Sequence, residues 1–175
     1  MPFSIVGRKK HHQAPDRKLS PRSRQAKRAS QRLTTVYLTI YVFRGEPDVL
    51  TRRHVLMYFT SPDNPEFHET IHIQRDDENS PWFIERERLE RDWIITNTYL
   101  SHVNAGTVQA YCGRESAIVD VFETVPVEDR DDGFNCQHFL LEGMQEMVRR
   151  GYQTWAWYTS VEDELTTELV RDTAG

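Results

Sequence analysis

Three early stretches alternate apolar and polar residues with a period of two: "LTTVYLTIYVF" from Leu33, "HVLMYFT" from His54 and "FHETIHIQ" from Phe67. That period places successive side chains on opposite sides of an extended chain, so each stretch is predicted to be a strand with one buried face. Val36, Leu38, Ile40 and Val42 share a face in the first, and Val55, Met57 and Phe59 in the second. Phe67, Glu69, Ile71 and Ile73 share one in the third. "RGEPDVL" and "SPDNPE" supply the Gly and Pro punctuation between them. If the second and third strands pair as a hairpin across the turn between Thr60 and Phe67, His54 and His72 become cross-strand or diagonal neighbours. The sequence does not set that register.

The remaining elements read less uniformly. "PWFIERERLERDW" fits either a short helix with Glu/Arg pairs or a highly charged strand and loop. "GTVQAYC" reads as a strand, and "ESAIVDVFETVPV" reads as a short helix in preference to a strand ending at Pro126. "DDGFNCQHFLLEGMQEMVRRG" is clearer, because Phe139, Leu140, Met144, Met147 and Val148 recur at helical spacing. Arg149 and Arg150 suit its last turn, and Gly151 suits a left-handed cap. Asp131, Asp132 and Asn135 stand in front of it as residue types that satisfy free N–H groups. A final helix, "SVEDELTTELV", is expected to begin at a Ser160 cap. Strands followed by helices make an α+β fold, an antiparallel sheet packed against the cysteine-bearing helix. Residues 33–175 form one domain, with no internal repeat or linker.

Residues 1–32 differ in kind. They hold ten of the 22 Lys/Arg residues and one of the 27 Asp/Glu residues, which leaves 12 basic and 26 acidic residues in the body. The Ser-, Pro-, Gln- and Arg-rich composition without apolar periodicity predicts a disordered basic tail. Its candidate partners are nucleic acid or an anionic surface, with a nuclear signal or attraction to the acidic body as further readings. No aromatic residue is interleaved for base stacking. No run of about 18 apolar residues or secretory signal occurs, so no membrane-spanning segment is expected. With Cys112 and Cys136 as the only cysteines, the expected setting is reducing and cytoplasmic, or nuclear through the tail.

Cys136 opens the clearest helix, where the dipole and free N–H groups bias a thiol toward thiolate and offer donors to an oxyanion. A nucleophilic cysteine also needs a base and a group that orients the base. His54 and His72 are the candidates for those roles. His68 shares a face with His72 and competes for the third place, although its position beside the turn suits a solvated histidine. His138 points about 200 degrees around the helix from Cys136, away from the same substrate atom. A structural cysteine at a helix start is the alternative. So is a zinc site built from Cys136, His54 and His72, though the chain has neither Cys-x-x-Cys nor a helical His pair. No cofactor is implied.

The "NCQHF" box of residues 135–139 resembles the "NCEHF" box of the lecithin retinol acyltransferase-like enzymes, members of a permuted papain-like superfamily that includes NlpC-type hydrolases. "HVLMYF" is similar to that group's His-x-x-x-Tyr strand, and "TIHIQ" lies where its second histidine is expected. "DDGFNCQHFLLEGM" is similar to uncharacterised fungal proteins that pair a strand histidine with an "NCQ" helix. The resemblance covers about residues 50–150 and implies a permuted papain-like fold. It implies Cys136 as nucleophile, His54 as base and His72 as the orienting member. The implied activity is hydrolysis or transfer of an acyl group, on an acyl, peptide or amide substrate, through a Cys136 thioester. Gln137 stands where the acyltransferases carry glutamate, and the interval between His54 and His72 is longer than theirs. A catalytically silent fold serving as a binding or scaffolding module is the alternative.

Overall fold

The computed structural model describes residues 32–171. Apart from Arg32, the basic tail and the expectations attached to it lie outside the described residues. Five strands form one antiparallel sheet: β1 (Leu33–Phe43), β2 (His54–Ser61), β3 (Asn64–Gln74), β4 (Phe83–Glu87) and β5 (Tyr99–Tyr111). Their spatial order is β4-β3-β2-β1-β5. Three helices follow: α1 (Ser116–Val119), α2 (Cys136–Arg149) and α3 (Trp155–Val170). The architecture is therefore α+β.

The period-two faces of β1 to β3 are the sheet's buried side. Val36, Leu38, Ile40, Val42, Met57, Phe59, Ile71 and Ile73 are completely enclosed, together with Phe122 and Met144 and Met147 of α2. α2 lies across β2 and β3, and α3 packs on β5 and α2. The other sheet face carries a smaller cluster of Phe43, Leu56, Tyr58 and Trp93, the last from a 3₁₀ turn at Trp93–Ile95. Among the described residues, no helix is long and apolar enough to cross a membrane.

Several boundaries differ from the sequence reading. β2 and β3 run on to Ser61 and Asn64, so their connection is shorter than the expected turn. "PWFIERERLERDW" divides into β4 and the 3₁₀ turn, and the helix alternative does not form. The cause is Glu69, buried on β3: Arg86 of β4 reaches it as an ion pair and also binds Asp120 at 2.8 Å and Glu123 at 3.0 Å. An Arg that neutralises a buried carboxylate across a sheet counts for more than the weak helical Glu/Arg pairs available locally.

β5 also starts well before "GTVQAYC". Its front half bulges against β1, where Gly106 takes φ +81°. Residues 115–127 give α1 followed by a 3₁₀ turn at Phe122–Thr124. α3 starts ahead of Ser160, which lies inside the helix. Thr154 is its cap, accepting from the Trp157 N–H at 3.1 Å. Tyr158, Val161, Leu165 and Leu169 then form its buried stripe.

Candidate active site

Cys136 is the first residue of α2, and Asn135 puts it there. Asn135 is extended, and its Oδ1 accepts from Gln137 N–H at 2.9 Å and His138 N–H at 3.3 Å. Asp131 and Asp132, expected to share this work, do not cap the helix. Asp131 instead accepts from Phe134 N–H through its carbonyl at 3.1 Å. Phe134 is buried beneath the Arg130 guanidinium, 4.1 Å from the ring centre, which fixes the approach to the helix. Phe139, Leu140, Met144 and Met147 anchor α2 to the core, and Gly151 ends the segment at φ +78°.

The thiol meets the open end of β2. Pairing of β2 with β3 begins at Met57↔Ile71, whereas pairing with β1 continues to Phe43↔His54. The Cys136 thiol lies on the unpaired stretch and donates to the Arg53 carbonyl at 3.7 Å. The N–H groups of Val55, Cys136 and Gln137 favour its thiolate, but burial outweighs them and pushes the thiol up to about 11. The expected bias toward thiolate is thus reversed at rest: Cys136 is a protonated thiol held by a carbonyl. Of the expected oxyanion donors, the His138 N–H is committed to Asn135, the Gln137 N–H is shared between Asn135 and the sulfur, and the Cys136 N–H bears on the sulfur itself.

His54 and His72 are brought together diagonally across β2 and β3. His54 Nε2 lies 3.0 Å from His72 Nδ1, and the rings meet edge to face with centroids 4.8 Å apart. On the far side His72 Nε2 lies 3.2 Å from Glu85 Oε2 of β4, which stands opposite His72 in the β3–β4 register. Burial, with the neighbouring His72 as a second cause, lowers His54 to about 4. Burial also lowers His72, against the pull of Glu85 and Glu87. Both imidazoles are therefore neutral near pH 7. Alternation along β2 sets His54 on the sheet face opposite Val55, while the thiol meets the backbone of the same strand end at Arg53 and Val55. No hydrogen bond joins Cys136 Sγ to His54.

They nevertheless share one cavity of about 830 Å³, lined by His54, Cys136, Ile73, Trp82 and the Leu50–Arg53 segment, with Phe134 and His138 behind the helix start. Two further residues organise it that the sequence reading missed, Gln137 in its contacts and Arg53 altogether. Gln137 Nε2 donates to the carbonyls of Leu50 at 2.7 Å and Arg53 at 3.0 Å, tying the first turn of α2 to the cavity wall. Arg53 is 1% exposed, forks onto Asp48 at 2.8 and 3.0 Å, and donates to the Leu169 and Arg171 carbonyls at 2.8 and 2.6 Å. Its side chain caps the C-terminal end of α3 while its own carbonyl holds the thiol. Glu85 was also missed. An acidic residue in a charged run carries no sequence signal of this kind, and only the sheet register places it beside His72.

His68 is not with the site. Its Nδ1 is 2.7 Å from Tyr58 Oη and its Nε2 2.8 Å from the Pro65 carbonyl. His138 stacks on Phe134 and turns its Nδ1 toward Asn135 Oδ1 at 3.0 Å. His102 pairs with Tyr99 Oη at 2.7 Å, and His11 and His12 lie outside the described residues. The zinc alternative finds no support, since no three His, Cys, Asp or Glu side chains among the described residues gather as metal ligands. Cys112 is exposed and unbonded to any other cysteine. Compared with protein-family models, curated proteins and solved structures, the chain matches none.

Proposed function

We propose that the protein is a permuted papain-like cysteine enzyme that hydrolyses or transfers an acyl group through a thioester at Cys136. The observation that carries this reading is the shared cavity: a thiol from a helix start and an imidazole from a strand end line it, and the imidazole is backed by a second histidine. The resting groups are a neutral thiol and a neutral imidazole, so the proton moves to His54 only as an electrophile arrives, whether a substrate carbonyl or an alkylating agent. The Cys136 S–H bond turns from the Arg53 carbonyl to His54, which takes the proton while sulfur bonds to the acyl carbon. His54 then returns that proton to the departing alcohol or amine, leaving the thioester. Water or an acceptor hydroxyl or amine completes the turnover by attack on the thioester.

A second reading has its own observation. Burial, the raised thiol and the Cys136-to-Arg53 hydrogen bond also describe a silent member of the fold, with the cavity used for binding alone. Alkylation separates the two. In a Cys112→Ser background, iodoacetamide near neutral pH should modify Cys136 at least about tenfold faster than in the same background with His54→Ala. Equal slow rates in the two would favour the silent module.

A further inference from the structure

Two contacts, His72 to Glu85 and His72 to His54, constrain which nitrogen of each imidazole carries its hydrogen. An ionised carboxylate has no hydrogen to give, so at the 3.2 Å contact His72 Nε2 must donate to Glu85 Oε2. A neutral imidazole carries one N–H, which makes His72 Nδ1 an acceptor. The 3.0 Å contact to His54 Nε2 then has one solution: His54 Nε2 donates to His72 Nδ1. His54 Nδ1 is left with its lone pair free.

We propose that Glu85 is a positioning residue that fixes the tautomer of His72 and, through it, that of His54, so that Nδ1 of His54 is the proton-accepting atom. The catalytic meaning rests on the Cys136–His54 reading, but the tautomers belong to the resting protein. Glu85 acts through two hydrogen bonds and touches neither thiol nor substrate. Its position on β4 explains why a short, highly charged strand is paired beside the relay: the β3–β4 register sets Glu85 opposite His72. One added proton would undo the arrangement. An imidazolium at His72 donates from both nitrogens, turning His54 Nε2 into an acceptor and moving the His54 hydrogen to Nδ1. The groups bearing on His72 are Glu85 and Glu87 of β4 and the backbone of Ile73, all favouring that proton, with burial opposing it.

The test is long-range proton–nitrogen correlation of the imidazole rings in the uniformly ¹⁵N-labelled full chain near neutral pH, assigned with His54→Ala and His72→Gln. In the wild type both His54 and His72 should be protonated at Nε2 only. Glu85→Gln, whose amide can either accept from or donate to His72 Nε2, should no longer force that pattern. Glu85→Leu should lose it, with His72 populating its Nδ1–H form and His54 following. Wild-type His54 protonated at Nδ1, or both patterns unchanged in Glu85→Leu, would overturn the proposal. If Glu85→Leu fails to fold, the wild-type spectrum still decides, because an Nδ1–H tautomer of either histidine there contradicts the relay. Alkylation indifferent to His54 alongside the predicted tautomers would remove the enzyme reading and leave Glu85 in its place.

Discussion

At the scale of single residues, burial decides the chemistry. A cysteine at a helix start reads from sequence as an incipient thiolate, yet the same apolar residues that seat α2 desolvate Cys136 and hold it as a thiol. His54 shows the converse shift with a consequence for stability. Its imidazole takes a proton near 6.5 in the unfolded chain but only at about 4 when folded. Between those values the unfolded state binds more protons, so stability is complete above the upper value and falls as pH drops from about 6.5 to about 4. The loss is about 3 kcal/mol from His54. Urea unfolding at both ends of that window should show it, and His54→Leu should shrink the acid-side loss; an unchanged loss would place the effect elsewhere. The roles of Arg53, Gln137 and Glu85 escaped sequence reading because they depend on partners set by tertiary register; Arg53 and Glu85 belong to no local motif, and the motif that holds Gln137 does not show what its amide binds.

At the scale of elements, β1 to β3 and α2 were legible because one face of each is apolar at the period of its own geometry. β4 was legible only as one of two alternatives, since its decisive residue is Arg86, paired with a buried Glu69 that no local pattern reveals. The start of α3 was missed for a related reason: Thr154 is an ordinary cap, but the acidic run after Ser160 imitates a first turn. The seat of α2 is tightest at Gly143, where an added Cβ would run into the Phe122 ring. Gly143→Ala improves helix propensity yet should destabilise the protein by about 1–3 kcal/mol through overpacking. Denaturant unfolding would check this, and Phe122→Leu in the same chain should recover part of the loss. A neutral or stabilising Gly143→Ala would mean that α2 can move off the sheet at little cost, and that the position of Cys136 is looser than described.

For the molecule as a whole, the candidate site lies where three pieces end together: β2 begins, α2 begins and α3 terminates on Arg53. The sequence marked the cysteine and both histidines, and the fold brings the two histidines into contact and sets Cys136 and His54 around one cavity. What it could not mark was the state of that site, a thiol donating to a carbonyl and an imidazole whose hydrogen is directed away toward His72. For Cys136 to act as a nucleophile, this resting arrangement must convert when a carbonyl compound enters. The most direct measurement is intact-mass analysis of the Cys112→Ser protein after exposure to p-nitrophenyl acetate. One acetyl group should appear on Cys136, released by neutral hydroxylamine as a thioester is, and absent from the His54→Ala variant. No acetylation of Cys136, or acetylation at the same rate without His54, would contradict it.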